Sequence, residues 1–154
     1  WDEAGRGHPE RSHRRLYQTF LQSIDPSLSL DTAPMGPAVA KAVTTFLDFF
    51  RGASTLEAMA AVGLGSELFA GQVMGWLADG LTHPRYQRSG SLDLTFWRVH
   101  AMRDEPRHYW LCRDVLVRYR SPEALSTMAE VGLRIASSEA RMYDEIYHES
   151  HGYS

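Results

Sequence analysis

The chain has 154 residues, of which 44% are hydrophobic and 23% are charged, and its formal net charge is -3. This composition is typical of one globular domain, and 16 Lys and Arg against 19 Asp and Glu provide no basic field for nucleic acid. A single cysteine, Cys112, excludes an intrachain disulfide and any metal site built from several thiolates.

We expect one domain over residues 1–154, located in the cytoplasm, because the sequence contains no signal peptide or lipidation motif. The chain begins at Trp1 and not at an initiator Met, so we expect an N-terminal segment to be missing. Cys112 lies among large apolar residues, which indicates a buried structural thiol.

Apolar residues recur with the helical period along most of the chain, and strand signals are almost absent, which predicts an all-α protein. A first helix is predicted from near Pro9 to about residue 23, and its apolar stripe places His13 on the buried side. After a loop rich in turn-forming residues, a second helix is predicted over residues 37–50.

A long apolar helix is predicted from residue 55 to residue 79 or 81, and Glu67 is the only charged side chain in its central part. An unpaired buried anion costs several kcal/mol, so Glu67 should have a cation or a metal ion as partner. An ion pair with arginine is the plain alternative to a metal. A membrane span is disfavoured by Glu67, Ser66 and Gln72 in the middle of the segment.

The helix predicted over residues 92–120 carries His100 and Asp104, whose spacing of four places them on one face. Pro106 should disturb this helix, because proline lacks an N–H and crowds the carbonyl four residues earlier. Ser121 and the proline after it then predict the start of a last helix that reaches about residue 147.

Four residues present a ligand type on an otherwise apolar face, namely His13, Glu67, His100 and Asp104. Glu3 joins them, because it lies ten residues before His13. Imidazoles and carboxylates without thiolates suit iron or manganese, and carboxylates can bridge two such ions. The pattern predicts a metal site, against the plainer alternative of a helical bundle with several satisfied polar core residues.

The segment DEAGRGHPERSHRRL, residues 2–16, resembles the first metal motif of the haem-oxygenase-like diiron oxidases, also described as iron-containing redox enzymes. The resemblance covers most of the chain and implies a haem-oxygenase-like helical bundle. The ligands that it implies are Glu3, His13, Glu67, His100 and Asp104. The family's last ligand is a histidine three residues after the aspartate, where this chain has Arg107. His108 is the favoured sixth ligand, with Glu105 or no sixth ligand as alternatives.

The resemblance implies an enzyme in which two Fe(II) ions, or manganese in their place, use dioxygen to oxidise a small amino-acid-derived substrate. The interval from Glu3 to His13 is most similar to that of family members that act on nitrogen, which implies N-oxygenation of an amine in natural product biosynthesis. Oxidative C–C cleavage of an amino or fatty acid to an alkene or nitrile, and a non-catalytic metal- or ligand-binding module, are the alternatives. We expect no catalytic residue beyond the metal ligands, no nucleic-acid or membrane partner, and leave a homodimer open.

Residues one turn from the ligands are predicted to line a substrate pocket: Tyr17, Phe20, Leu64, Met74, Trp97 and Met102. Arg103 or Arg107 is a candidate to bind a substrate carboxylate through two hydrogen bonds, and a solvated position on the surface is the alternative for both.

Overall fold

The computed structural model describes residues 2–32, 34–86 and 91–152, and within these ranges the regular structure is helical, without a strand. The α-helices of this part of the chain are α1 (His13–Ile24), α2 (Pro37–Gly52), α3 (Thr55–Gly65), α4 (Glu67–Leu81), α5 (Thr95–Val99), α6 (Glu105–Leu116) and α7 (Pro122–His151). Short 3-10 turns at Pro9–Arg11 and Pro84–Tyr86 and a π-helical turn at His100–Asp104 complete the set. The all-α prediction is confirmed.

The chain divides into two compact units, which are described separately. The first unit contains residues 1–34 and 69–106, and the second contains residues 35–68 and 107–154. A single domain over residues 1–154 stays a prediction. No helix of the described residues combines the length and apolarity needed to cross a bilayer.

In the first unit, α1 packs against α5 through aromatic side chains. Tyr17 lies 4.9 Å from Phe96 and Phe20 lies 5.3 Å from Trp97, measured between ring centroids. Phe20 is buried, so the apolar stripe of α1 faces inward as predicted. Because His13 is on the same stripe, this packing also fixes the position of its imidazole.

In the second unit, a hydrophobic core is shared by α3, α6 and α7. Its buried members are Ala60, Ala61, Leu116, Met128, Val131 and Ile135. A capping box of Ser54 and Glu57 begins α3, and the Ser121 side chain caps α7 as predicted. These caps satisfy N–H groups of the first helical turn that have no partner within the helix.

The prediction of a single helix from residue 55 to residue 79 or 81 is wrong, because the chain leaves helical geometry at Ser66, with φ -128° and ψ -69°. Two glycines precede the break, and glycine is the weakest helix former after proline. A Cβ atom on Gly65 would lie 2.6 Å from Cβ of Ile135, so close packing against α7 requires glycine there. The break makes Glu67 the first residue of α4.

The helix predicted over residues 92–120 is also interrupted, since α5 gives way to the π-helical turn at His100–Asp104 before α6 begins. The N–H of Glu105 donates to the carbonyl of His100, the five-residue interval of a π-helix. Pro106 follows at the second position of α6 and has no N–H for the carbonyl four residues earlier. The disturbance that Pro106 predicts is therefore present, on its N-terminal side.

Residues 71 and 75 of α4 approach the same turn closely within the first unit. A Cβ atom on Gly71 would lie 3.3 Å from Cβ of Glu105, and one on Gly75 would lie 3.8 Å from Cβ of Ala101. The two glycines, one helical turn apart, thus let α4 lie close to the backbone of the π-helical turn.

Candidate metal centre

The loop before α1 is shaped by three consecutive residues with positive φ, namely Gly5 at 78°, Arg6 at 56° and Gly7 at 86°. A Cβ atom on Gly5 would lie 2.2 Å from the carbonyl oxygen of His8, so only glycine fits there. The turn folds back on itself, and the N–H of His13 donates to the carbonyl of Glu3 at 3.0 Å. Local backbone geometry thus places Glu3 beside the first residue of α1.

His13 is buried, with 6% of its surface exposed, as the apolar stripe predicts. Its Nε2 lies 3.0 Å from Oδ2 of Asp104, and because an ionised carboxylate only accepts, Nε2–H is the donor. Its Nδ1 lies 2.6 Å from Oε2 of Glu3, yet the angles of a hydrogen bond are not met and no described residue satisfies this buried nitrogen.

The contact between Glu3 and His13 fits a bound cation. In a neutral imidazole that donates through Nε2, Nδ1 carries a lone pair. In this neutral form, one metal ion bound by both Nδ1 and Oε2 of Glu3, which lie 2.6 Å apart, would satisfy both atoms. The residues present therefore suit a metal ligand pair at this point.

His100 is the second buried imidazole of the first unit, with 6% of its surface exposed. Its Nδ1–H donates to the carbonyl of Phe96 at 2.7 Å, which leaves Nε2 as the acceptor nitrogen. Metal-binding histidines commonly have this arrangement, because the bond to the carbonyl fixes both tautomer and ring orientation. The ring centroids of His100 and His13 are 4.1 Å apart.

Asp104 is fully buried and accepts four hydrogen bonds. Arg6 Nη2 and Arg103 Nε donate to Oδ1 at 3.2 and 2.8 Å, while Arg103 Nη2 and His13 Nε2 donate to Oδ2 at 3.1 and 3.0 Å. Burial by itself would raise the pKa of Asp104, but the hydrogen bonds from Arg103 and His13 and their charges lower it to about 2. Asp104 is therefore a carboxylate at neutral pH.

In the second unit, Glu67 and His108 form a carboxylate–imidazole pair, as Glu3 and His13 do in the first unit. Oε2 of Glu67 lies 3.5 Å from Nδ1 of His108, and their side chains are 18% and 19% exposed, so Glu67 is less deeply buried than its apolar surroundings predict. Glu105 precedes His108 by one turn of α6, which places its carboxylate on the same helix face. By residue type, Glu67 and His108 of this unit could contribute to a metal site.

Cys112 lies one turn after His108 on α6, and its predicted burial is confirmed. Burial raises the pKa of this thiol, and the nearby negative charge of Glu67 raises it further. A protonated thiol is a poor metal ligand, since the thiolate is the binding form. The candidate ligands are accordingly imidazoles and carboxylates alone, a set that suits iron or manganese.

The predicted ligands fall into two groups, one in each unit. The first unit holds Glu3, His13, His100 and Asp104, and the second holds Glu67 and His108. The use of all six as ligands stays a prediction, as does the choice between His108 and Glu105.

Arg6 is a further residue of the site that the sequence does not predict. It donates to Asp104, which lies 98 positions later in the chain, and no local pattern indicates this contact. Arg103 is one of the two arginines predicted to bind a substrate carboxylate, but in the structure its guanidinium donates to Asp104. The prediction of Met102 as a pocket wall is wrong, because the side chain is 80% exposed.

No curated protein and no solved structure matches the chain. A family model described as iron-containing redox enzyme matches residues 1–136, which is most of the chain and includes every candidate ligand named above. The all-helical structure of the described residues agrees with the haem-oxygenase-like fold of that family. The chain therefore belongs to the haem-oxygenase-like family of iron-containing redox enzymes.

Proposed function

We propose that this protein is a non-haem diiron oxygenase that uses dioxygen to oxidise a small amino-acid-derived substrate by N-oxygenation of an amine. Family membership supports the coarser statement, an iron-dependent oxidoreductase. The proposed iron site is supported above all by the buried Nδ1 of His13, which lies 2.6 Å from Oε2 of Glu3 and has no hydrogen-bond partner among the described residues.

Six residues would hold the iron: Glu3, His13, Glu67, His100, Asp104 and His108. Bound iron would supply the redox chemistry that activates dioxygen, which no amino-acid side chain provides. Two ions, and not one, are proposed because each unit has its own imidazole and carboxylate ligand types, and six such ligands exceed what a single open iron site needs. Manganese is the alternative metal, because imidazole and carboxylate ligands suit it as well.

The chain's own residues prepare this site in three ways. The carbonyl of Phe96 orients the ring of His100, and the hydrogen bonds to Asp104 keep its carboxylate ionised. The ring of Phe96 also lies 4.2 Å from that of His100, between centroids, and together with Tyr17 it limits the access of water to the imidazoles. Exclusion of water favours oxidation of a bound substrate over release of reactive oxygen species.

Oxygen uptake is the direct test of turnover. N-oxygenation inserts one oxygen atom into the substrate, and the second leaves as water, so the reaction consumes two electrons and two protons for each dioxygen. We expect the Fe(II)-loaded protein with a chemical reductant to consume oxygen when an amine substrate is added, and mass spectrometry to find one added oxygen in the product.

Two variants control this assay. His100→Ala should abolish the substrate-dependent uptake, whereas His83→Ala, which removes an exposed imidazole outside the ligand set, should not change it. Iron binding without uptake for any amine or amino acid would indicate a non-catalytic module. A product that has lost carbon would instead indicate oxidative C–C cleavage.

A further inference from the structure

The acceptor positions of Asp104 are fully used by protein donors. A carboxylate offers about four lone-pair positions, and Asp104 accepts four hydrogen bonds, from Arg6, His13 and both branches of the Arg103 guanidinium. A metal ion that binds an oxygen of Asp104 must therefore take the place of at least one of these donors.

Arg6 is the donor that leaves at the lowest cost. Arg103 holds Asp104 with two hydrogen bonds from adjacent guanidinium nitrogens, whereas Arg6 makes a single and longer one, at 3.2 Å. A guanidinium bound through two nitrogens is held more firmly than one bound through one. Arg6 also has a second partner to retain, since its Nε donates to Asp2 at 2.6 Å.

The backbone at Arg6 supports a special role for its side chain. Arg6 is the one non-glycine residue with positive φ among the described residues, at 56°, and it lies between two glycines that also have positive φ. Arginine rarely adopts this conformation, which glycine or asparagine accepts at less cost. The side chain is 37% exposed, so the guanidinium can move into solvent without crossing the core.

We propose that Arg6 is a positioning residue that holds Asp104 in the metal-free protein and is displaced from it when iron binds. This inference rests on the proposed iron site. In the metal-free protein, the Arg6 guanidinium supplies the positive charge that iron would supply beside the fully buried carboxylate of Asp104. Without such a charge, this carboxylate would be costly to keep ionised. Displacement leaves Arg6 on Asp2 and removes one of the contacts between residues 2–8 and the π-helical turn.

The test compares Arg6→Asn with Arg11→Asn. Both variants remove one positive charge, but Arg11 is exposed, and asparagine accepts the positive φ at position 6. We expect Arg6→Asn to lower the urea midpoint of the metal-free protein and to tighten Fe(II) binding about tenfold. This factor corresponds to the loss of one charged hydrogen bond at a partly exposed arginine. Arg11→Asn should change neither quantity.

A double-mutant cycle shows whether Arg6 acts through Asp104. Asp104→Asn keeps an amide oxygen at the ligand position and should bind Fe(II) more weakly than the wild type. In that background, Arg6→Asn should no longer change the Fe(II) dissociation constant, because the charged contact that competes with iron is already lost. A merely structural Arg6 would give the opposite sign, with weaker iron binding in the less stable variant.

Unchanged or weaker iron binding in Arg6→Asn overturns the inference, and so does a full effect that persists in the Asp104→Asn background. If the wild type and Arg6→Asn bind iron equally, only the role of Arg6 is refuted. If neither form binds iron, the proposed function fails and the role of Arg6 fails with it.

Discussion

Replacement of Asp104 by asparagine should destabilise the metal-free protein at neutral pH. Folding lowers the pKa of this carboxyl group from 3.8 to about 2. A shift of this size corresponds to about 2.5 kcal/mol, at about 1.36 kcal/mol for each pKa unit. Because the arginine partners are partly exposed, solvent screening reduces this value, and the charge of Asp104 should contribute about 2 kcal/mol to the free energy of unfolding at pH 7.

This loss is smaller than that usual for a broken buried ion pair, about 3–5 kcal/mol. The larger figure applies when the remaining partner is left buried without a counter-charge. Here the partners Arg6 and Arg103 have side chains that are 37% and 54% exposed, so water can solvate them once the carboxylate is gone. We expect the asparagine variant to fold.

The pH dependence gives a second and independent readout. Because folding lowers the pKa of Asp104, its stabilisation is present above the ordinary pKa of 3.8 and is lost as the pH falls to about 2. The difference in unfolding free energy between the wild type and Asp104→Asn should shrink as the pH falls below about 4.5.

Urea denaturation at a series of pH values, followed by circular dichroism, measures this difference. Asp31→Asn is the matched control, since Asp31 pairs with Arg14 but its side chain is 78% exposed. An exposed pair of this kind contributes about 1 kcal/mol at most. Equal stability of the wild type and Asp104→Asn at pH 7, or a difference that does not shrink in acid, would refute the role assigned to this carboxylate.

Three further results are expected. His13→Ala and His100→Ala should each lose iron binding and turnover while the helical content by circular dichroism stays nearly unchanged; full activity of both would refute their assignment. Iron should slow hydrogen exchange of amides 100–112, because ligands flank an interrupted helix, and equal protection with and without iron would exclude this coupling. Gly65→Ala should lower the free energy of unfolding by about 1–3 kcal/mol through overpacking, whereas Gly80→Ala, with open space around it, should not.

The fold class and the burial of the key imidazole could be predicted from the sequence because both follow from local periodicity. The stripe that runs through Tyr17 and Phe20 is sufficient to place His13 on the inner face of α1. Cap residues such as Ser121 act within one turn, so the start of α7 could also be located.

The two helix interruptions could be predicted only in part. Pro106 indicates a local disturbance, but whether the chain responds with a kink or a π-helical turn depends on the helix packed against it. The break at Ser66 depends on Gly65 lying against Ile135 of α7, a contact between residues far apart in the chain. Periodicity continues across such a break and gives no warning of it.

The contact between Arg6 and Asp104 could not be predicted from local patterns either, because these residues are also far apart in the chain. Arg6 sits in a loop whose glycines predict a turn, but the direction of an arginine side chain from a turn is set by the tertiary fold. Its φ of 56° could not be read from the sequence either, because arginine gives no preference for that conformation.

Anaerobic titration with Fe(II), followed by metal analysis, tests the central claim most directly. We expect close to two iron ions for each chain. Glu67→Ala should lose much of this iron, because Glu67 begins α4 beside His108 and is the only acid in the first turns of that helix. Glu130→Ala, which removes an exposed acid of α7, should retain the iron of the wild type. Absence of iron from the wild type, or unchanged iron in Glu67→Ala together with lost stability, would contradict the account and make Glu67 a structural ion-pair residue.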